Sequence, residues 1–312
     1  SVTVSSPLAM PCVFCKESAM FEKIKSHFLF EALLKRHDIN QAYKMVGPED
    51  SWYATITTVH NSLAEIQKLP HENWEITSHD GLSLKAVFYP GTTNKTMIWV
   101  HGYTSHGERE SAFPGLFYHS MGYNVLIPYL RAHGPSEGRY ISFGPLEAED
   151  MKLWIDRVNE RNPGSILIHG LSMGGGVALD LATMELENVK CILADAPSYS
   201  IPEFFNGVAK YNSKKNPEKL AAFLFARYLK TFSVDAKGYD RRENIRNGKY
   251  PLLLTAGSME DQEEVLSVIK ERNPQPTTVL ILPGCNHGNG MYKQTELYQN
   301  TIREFTEKYI LL

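Results

Sequence analysis

The spacing of apolar positions changes twice along the 312 residues. From about residue 20 to 70 it is helical: Ile24, Phe28, Leu29 and Leu33 fall on one face, as later do Val59, Leu63 and Ile66. Gly47-Pro48 interrupts the stretch between them. From Trp74 the period is two. Trp74 to Thr77 and Leu82 to Phe88 alternate on either side of Asp80-Gly81, which predicts a β-hairpin. After Pro90-Gly91 short apolar runs alternate with amphipathic stretches. The runs are Thr96 to Val100, Asn124 to Ile127, Ser165 to Ile168, Val189 to Ala194, Pro251 to Leu254 and Thr278 to Leu282. Their Ile, Leu and Val content is that of strands covered on both faces. Between them, Met151, Trp154, Ile155 and Val158 share one helical face. Such alternation predicts an α/β fold, a mostly parallel central sheet with helices on both faces. One connection, from Pro197 to Tyr250, is helical in character and far longer than an ordinary crossover, so it reads as an insertion.

Composition narrows the options. Hydrophobic residues make up 43% and charged residues 21%, which excludes a disordered chain. The 32 Lys and Arg against 35 Asp and Glu give a net charge of -3, so no basic surplus exists to bind a nucleic-acid backbone. No run reaches the roughly 20 apolar residues of a transmembrane helix. Four cysteines do not make a disulfide scaffold in a chain of this length. Cys12 and Cys15 form a Cys-x-x-Cys pair with no further ligands at metal-site spacing. We therefore expect no metal and no cofactor. No charged and apolar leader pattern follows Ser1, and the expectation is a cytoplasmic protein; a leader removed ahead of Ser1 would leave no trace in it.

The chemistry sits at the ends of the apolar runs. Gly170-Leu171-Ser172-Met173-Gly174 lies between the run ending at Ile168 and a helix start rich in small residues. A serine between glycines at a strand-to-helix turn is a nucleophile elbow, and side chains at Gly170 or Gly174 would collide there. Serine needs a base. His287, in Cys285-Asn286-His287-Gly288, follows the last predicted strand. An unperturbed imidazole would lose activity as pH falls through roughly 6–7. The acid that orients the imidazole is sought after the preceding strand, in Gly257-Ser258-Met259-Glu260-Asp261, with Asp195 as a third candidate. Glu260 is assigned to catalysis, and Asp261, the alternative acid, to capping a helix from Gln262 to Arg272. His101-Gly102-Tyr103-Thr104 follows the run ending at Val100. The expected oxyanion donors are the backbone N–H groups of Tyr103 and Met173. His101 reads as structural.

With these motifs in place, the stretch from about Trp74 to Tyr309 resembles the α/β-hydrolase superfamily, and within it the serine esterase and lipase-like members with an inserted cap. Arg131-Ala132-His133-Gly134-Pro135-Ser136-Glu137-Gly138 belongs to the resemblance as well. Two positions depart from the family pattern: Glu260 stands where the acid is usually Asp, and Tyr129 where an Asp is frequent. The resemblance implies an α/β-hydrolase domain over 74–312, a helical cap at about 197–245 and an N-terminal helical extension over 1–73. The insertion's aromatic residues, among them Phe204, Phe205, Phe225 and Tyr228, then supply a pocket or their own core. Its lysines, Lys210, Lys214, Lys215 and Lys219, read as a solvated face. The expected reaction is hydrolysis of a small-molecule carboxylic ester through an acyl-enzyme. Thioester, amide or small-peptide hydrolysis uses the same triad, and an inactive binding protein on this fold is the alternative from another class. Substrate identity and oligomeric state are not legible in the residues.

Overall fold

The computed structural model describes residues 13–37, 53–236 and 238–310. Cys12 lies outside the described residues, as does the side chain of Cys15, so the Cys-x-x-Cys pair has no structural counterpart here. Two compact units emerge, one made of residues 1–34 and 201–239, the other of 35–200 and 240–312.

The larger unit is built on eight strands: β1 (Glu72–Thr77), β2 (Ser83–Tyr89), β3 (Thr96–Val100), β4 (Asn124–Pro128), β5 (Ile166–Leu171), β6 (Val189–Asp195), β7 (Leu252–Gly257) and β8 (Thr277–Leu282). Their order is β1-β2-β4-β3-β5-β6-β7-β8. The hairpin pairs Trp74 with Ala86 around the Asp80-Gly81 turn, and β2 runs antiparallel to β4. Every other pairing is parallel. The continuous apolar runs thus mark the strands buried on both faces: β3, β4, β5 and β7 are buried at every position. Helices α2 (Ile56–Ile66), α3 (Gly107–Ser120), α4 (Pro145–Arg161), α5 (Met173–Leu181), α9 (Glu263–Arg272) and, after the short α10 (Gly290–Lys293), α11 (Thr295–Tyr309) accompany them. This is the α/β-hydrolase fold.

The chain moves outward from β3 to β4, then returns to add β5 on the other side of β3. At such a reversal the loops after neighbouring parallel strands diverge and leave a crevice at their carboxyl ends. The loops after β3 and β5 carry His101 to Thr104 and Ser172.

Two buried ion pairs fix loops on this edge. Arg131 donates to Asp150 at 2.7 and 2.8 Å and to Asp80 at 3.0 and 3.1 Å, tying the loop after β4 to α4 and to the hairpin turn. Arg241, in the short helix α8 (Arg241–Asn244), is 1% exposed and clasps Asp180 of α5 at 2.8 and 2.7 Å, with a further bond to the Phe143 carbonyl at 3.0 Å. Removing one partner strands the other charge in a dry site. Arg241→Ala is therefore expected to lower stability by about 3–5 kcal/mol, read as a shifted midpoint in urea unfolding. A loss below about 1 kcal/mol would mean water reaches Asp180.

The smaller unit packs α1 (Val13–Leu34) with α6 (Ile201–Asn212) and α7 (Pro217–Phe232). Phe205, Leu220, Leu224 and Tyr228 are buried in it, so these insertion residues form a core of their own. Tyr228 packs on Phe205, Phe225 and Phe232. Among the described residues no helix is long and apolar enough to cross a membrane.

Candidate active site

Ser172 stands between β5 and α5 with φ 59° and ψ -114°, a backbone conformation that L residues rarely adopt. The neighbouring glycines make this turn possible. A Cβ on Gly170 would lie 2.1 Å from the Gly174 carbonyl oxygen, and one on Gly174 would lie 1.9 Å from that of Val100. The Ser172 N–H donates to the Asp195 carbonyl at 2.8 Å, and its own carbonyl accepts from Gly176 and Ser198. The strained residue is thereby held from both sides, the condition under which such strain persists.

Its hydroxyl lies 2.8 Å from His287 Nε2, and His287 Nδ1 lies 2.5 Å from Glu260 Oε2. The second oxygen of Glu260 accepts the Gly257 N–H at 2.7 Å. The Glu260 side chain is 6% exposed, while the imidazole is about half exposed at 54%. The loops that bring the two together are laced to each other. Ser258 N–H donates to the Leu282 carbonyl at 2.9 Å and Met259 N–H to the Cys285 carbonyl at 3.0 Å. The Glu260 hydrogen bond raises the His287 pKa above its ordinary value, against a smaller opposing effect of burial. A hydroxyl, an imidazole and an anchored carboxylate in line can pass the hydroxyl proton to Nε2 while the carboxylate steadies the imidazolium.

The other candidate acids sit elsewhere. Asp195 is 2% exposed, and its carboxylate accepts from the Tyr298 hydroxyl at 2.9 Å, beneath the elbow. Burial pushes its pKa up to about 6. Asp261 is exposed, at φ 55°, and among the described residues its carboxylate has no partner. It is not the cap either: the N-cap of α9 is Gln262, without a side-chain cap bond. Asp261, in the left-handed conformation, stands one residue before that cap, and its side chain is exposed.

The loop after β3 abuts the serine. A Cβ on Gly102 would lie 3.5 Å from that of Ser172. His101 is fully buried and its Nε2 accepts the Leu130 N–H at 3.0 Å, so it braces the loops after β3 and β4. Met173 is the first residue of α5, where N–H groups precede the helical ladder. Tyr103 follows Gly102 on the rim.

Three features were not visible in the residues alone. Glu110, in the first turn of α3, takes the Gly102 N–H at 2.9 Å and the Trp99 indole N–H at 3.1 Å, and burial pushes its pKa up to about 7. Ile56 and Val59 of α2 line the same cavity, about 340 Å³, with Tyr103, Leu171, Ser172, His287 and Tyr292. Thr104 has φ 53°, a second strained position at its edge.

The chain resembles known proteins at three levels. Residues 91–265 match the family described as serine aminopeptidase, S33. An uncharacterised protein of Bacillus subtilis (strain 168), YqkD, is 27% identical over 263 residues, covering 80% of this chain and 83% of that protein. A multifunctional-autoprocessing repeats-in-toxin of Vibrio vulnificus is 31% identical over 132 residues, 39% of this chain; the match spans 2% of the toxin's length. Among solved structures, an esterase of Pyrococcus furiosus superposes with a TM-score of 0.63 at 26% identity, covering 79% of this chain and 94% of its own.

Proposed function

The chain belongs to the serine aminopeptidase S33 family of α/β hydrolases, whose match takes in more than half of it, and from that premise we propose that it is a serine hydrolase of small carboxylic esters, with Ser172 as nucleophile, His287 as base and Glu260 as acid. The observation that carries this reading is the unbroken Glu260–His287–Ser172 hydrogen-bonded chain opening on a largely apolar cavity. Ser172 Oγ attacks the ester carbonyl carbon and its proton passes to His287 Nε2. Negative charge on the carbonyl oxygen meets the backbone N–H groups of Tyr103 and Met173. Collapse expels the alcohol with the proton from His287, and water releases the acid by the same steps. The cavity walls, Ile56, Val59 and Leu171 with Tyr292, suit an apolar acyl or alcohol group of modest size. The resemblance to the Pyrococcus furiosus esterase supports ester cleavage. The family's description favours a second reading, cleavage of small peptide amides.

A panel of nitrophenyl esters of graded acyl length, beside aminoacyl nitroanilides, separates the two. Esters of short and medium chains are expected to turn over fastest. Faster anilide cleavage would reverse the assignment. The pH profile is an independent check. His287 must be neutral to act as a base, and its pKa is raised by Glu260. Activity should therefore fall as pH drops through a value above the ordinary 6.5 of histidine, not at or below it. A midpoint well under 6.5 would contradict the Glu260–His287 bond.

A further inference from the structure

Between Met20 and Phe28, helix α1 turns polar side chains inward and apolar ones outward. The side it turns to its own unit carries Glu22 and Ser26, both 4% exposed, above fully buried Phe30 and Leu34. Glu22 accepts from the Ser213 hydroxyl at 2.9 Å, and Arg227 pairs with Glu31 across the same contact. The opposite side presents Met20, Phe21, Ile24 and Phe28 at 65%, 64%, 49% and 68% exposure. Their spacing puts them on one stripe. A surface helix ordinarily shows the reverse, apolar in and polar out. Four large apolar side chains side by side mark a surface that meets something apolar.

Cations border this stripe. Lys23 is exposed on α1, and Phe21 shares a depression with Lys25, Lys214 and Lys215 at the turn between α6 and α7. Lys25 Nζ donates to the Asn212 carbonyl, which holds that turn against α1. Residues 1–34 and 201–239 together contain ten Lys and Arg against six Asp and Glu, a net +4 in a chain of net -3, so the remainder carries -7. The positive charge is thus concentrated on the unit with the apolar stripe.

We propose that this unit docks on an anionic lipid surface, with Met20, Phe21, Ile24 and Phe28 inserted among the acyl chains and Lys23, Lys214 and Lys215 at the headgroups. Exposed aliphatic and aromatic side chains rimmed by lysine are what an interfacial helix needs: the apolar stripe supplies insertion and each lysine adds attraction to anionic headgroups. The same rim opposes a symmetric dimer through this face, because two cationic borders would meet. Docking does not depend on the chemistry at Ser172.

The test is co-sedimentation of the full chain with mixed phosphatidylglycerol–phosphatidylcholine vesicles and with phosphatidylcholine alone. Binding is expected to the mixed vesicles only, and to weaken as salt rises. A Phe21→Ser/Ile24→Ser/Phe28→Ser variant and a separate Lys214→Glu/Lys215→Glu variant should each bind roughly tenfold or more weakly. All these side chains are exposed, so hydrolysis of a soluble nitrophenyl ester and helical circular dichroism should stay at wild-type levels in both. Ser172→Ala should bind vesicles as the wild type does, which separates docking from the proposed hydrolysis. The proposal is overturned by absence of vesicle binding, by equal binding to neutral vesicles, or by variants whose sole effect is to dissociate a dimer.

Discussion

Ser172→Ala is expected to reduce ester hydrolysis by about 10⁶-fold in kcat, to the level left by binding and the oxyanion donors. The expectation rests on what the hydroxyl does and does not touch. Its oxygen is bonded to His287 Nε2 at 2.8 Å. The bonds that hold the elbow, by contrast, all run through the Ser172 backbone, to Asp195, Gly176 and Ser198. Alanine keeps those bonds and the same Cβ. It does not relax the φ of 59°, since it carries the same steric penalty as serine there. Unfolding should therefore shift by less than about 0.5 kcal/mol, as for a surface change. A fluorophosphonate probe gives the complementary reading: the wild type should label covalently at this one residue and the variant should not. An alanine variant that retains several per cent of activity, or still labels, would falsify the assignment of the nucleophile.

The strands were legible because burial on both faces writes itself as uninterrupted Val, Ile and Leu, and each predicted run starts within two residues of an observed strand and ends within three. Ser172 and His287 could be singled out because strand ends constrain where a reacting group can stand. What the residues did not reveal is pairing across elements. Val59 has the helical spacing of a core residue, and nothing in that period says that its face borders the cavity beside Ser172. Glu110 looks like an ordinary acid in the first turn of a helix, set there for the helix dipole. Only the fold carries it to the Gly102 N–H, where it holds the loop that precedes Tyr103. Asp261 illustrates the opposite error. Asp is a favoured N-cap, but cap identity depends on the backbone, and the turn out of β7 passes through a left-handed residue first, leaving Gln262 as the cap.

Glu260 and Asp261 are adjacent carboxylates with contrasting surroundings, and a pair of amide substitutions tells them apart. Glu260 uses both oxygens: Oε1 accepts the Gly257 N–H at 2.7 Å and Oε2 faces His287 Nδ1 at 2.5 Å. Glutamine cannot serve both. If its carbonyl oxygen keeps the Gly257 bond, its amide N–H₂ points at Nδ1. That nitrogen must then be an acceptor, so the proton sits on Nε2 and the imidazole can no longer take one from Ser172. If the amide is turned over, two N–H groups face each other at Gly257, in a site where the side chain is only 6% exposed. The first orientation loses the productive tautomer and the second is opposed by the facing donors at Gly257, so Glu260→Gln is expected to reduce kcat by about 10⁴-fold. The variant should also lose the upward shift of the His287 pKa, because the charge-bearing partner is gone. Asp261→Asn should be silent by comparison. Its carboxylate is exposed, and asparagine tolerates the left-handed backbone as well as aspartate does. Activity should stay within about twofold and stability within about 0.5 kcal/mol. A dead Asp261→Asn enzyme would move the acid by one residue. If both variants stay active, the carboxylate must be sought at Asp195, whose present bond is to the Tyr298 hydroxyl and would have to break for it to reach His287.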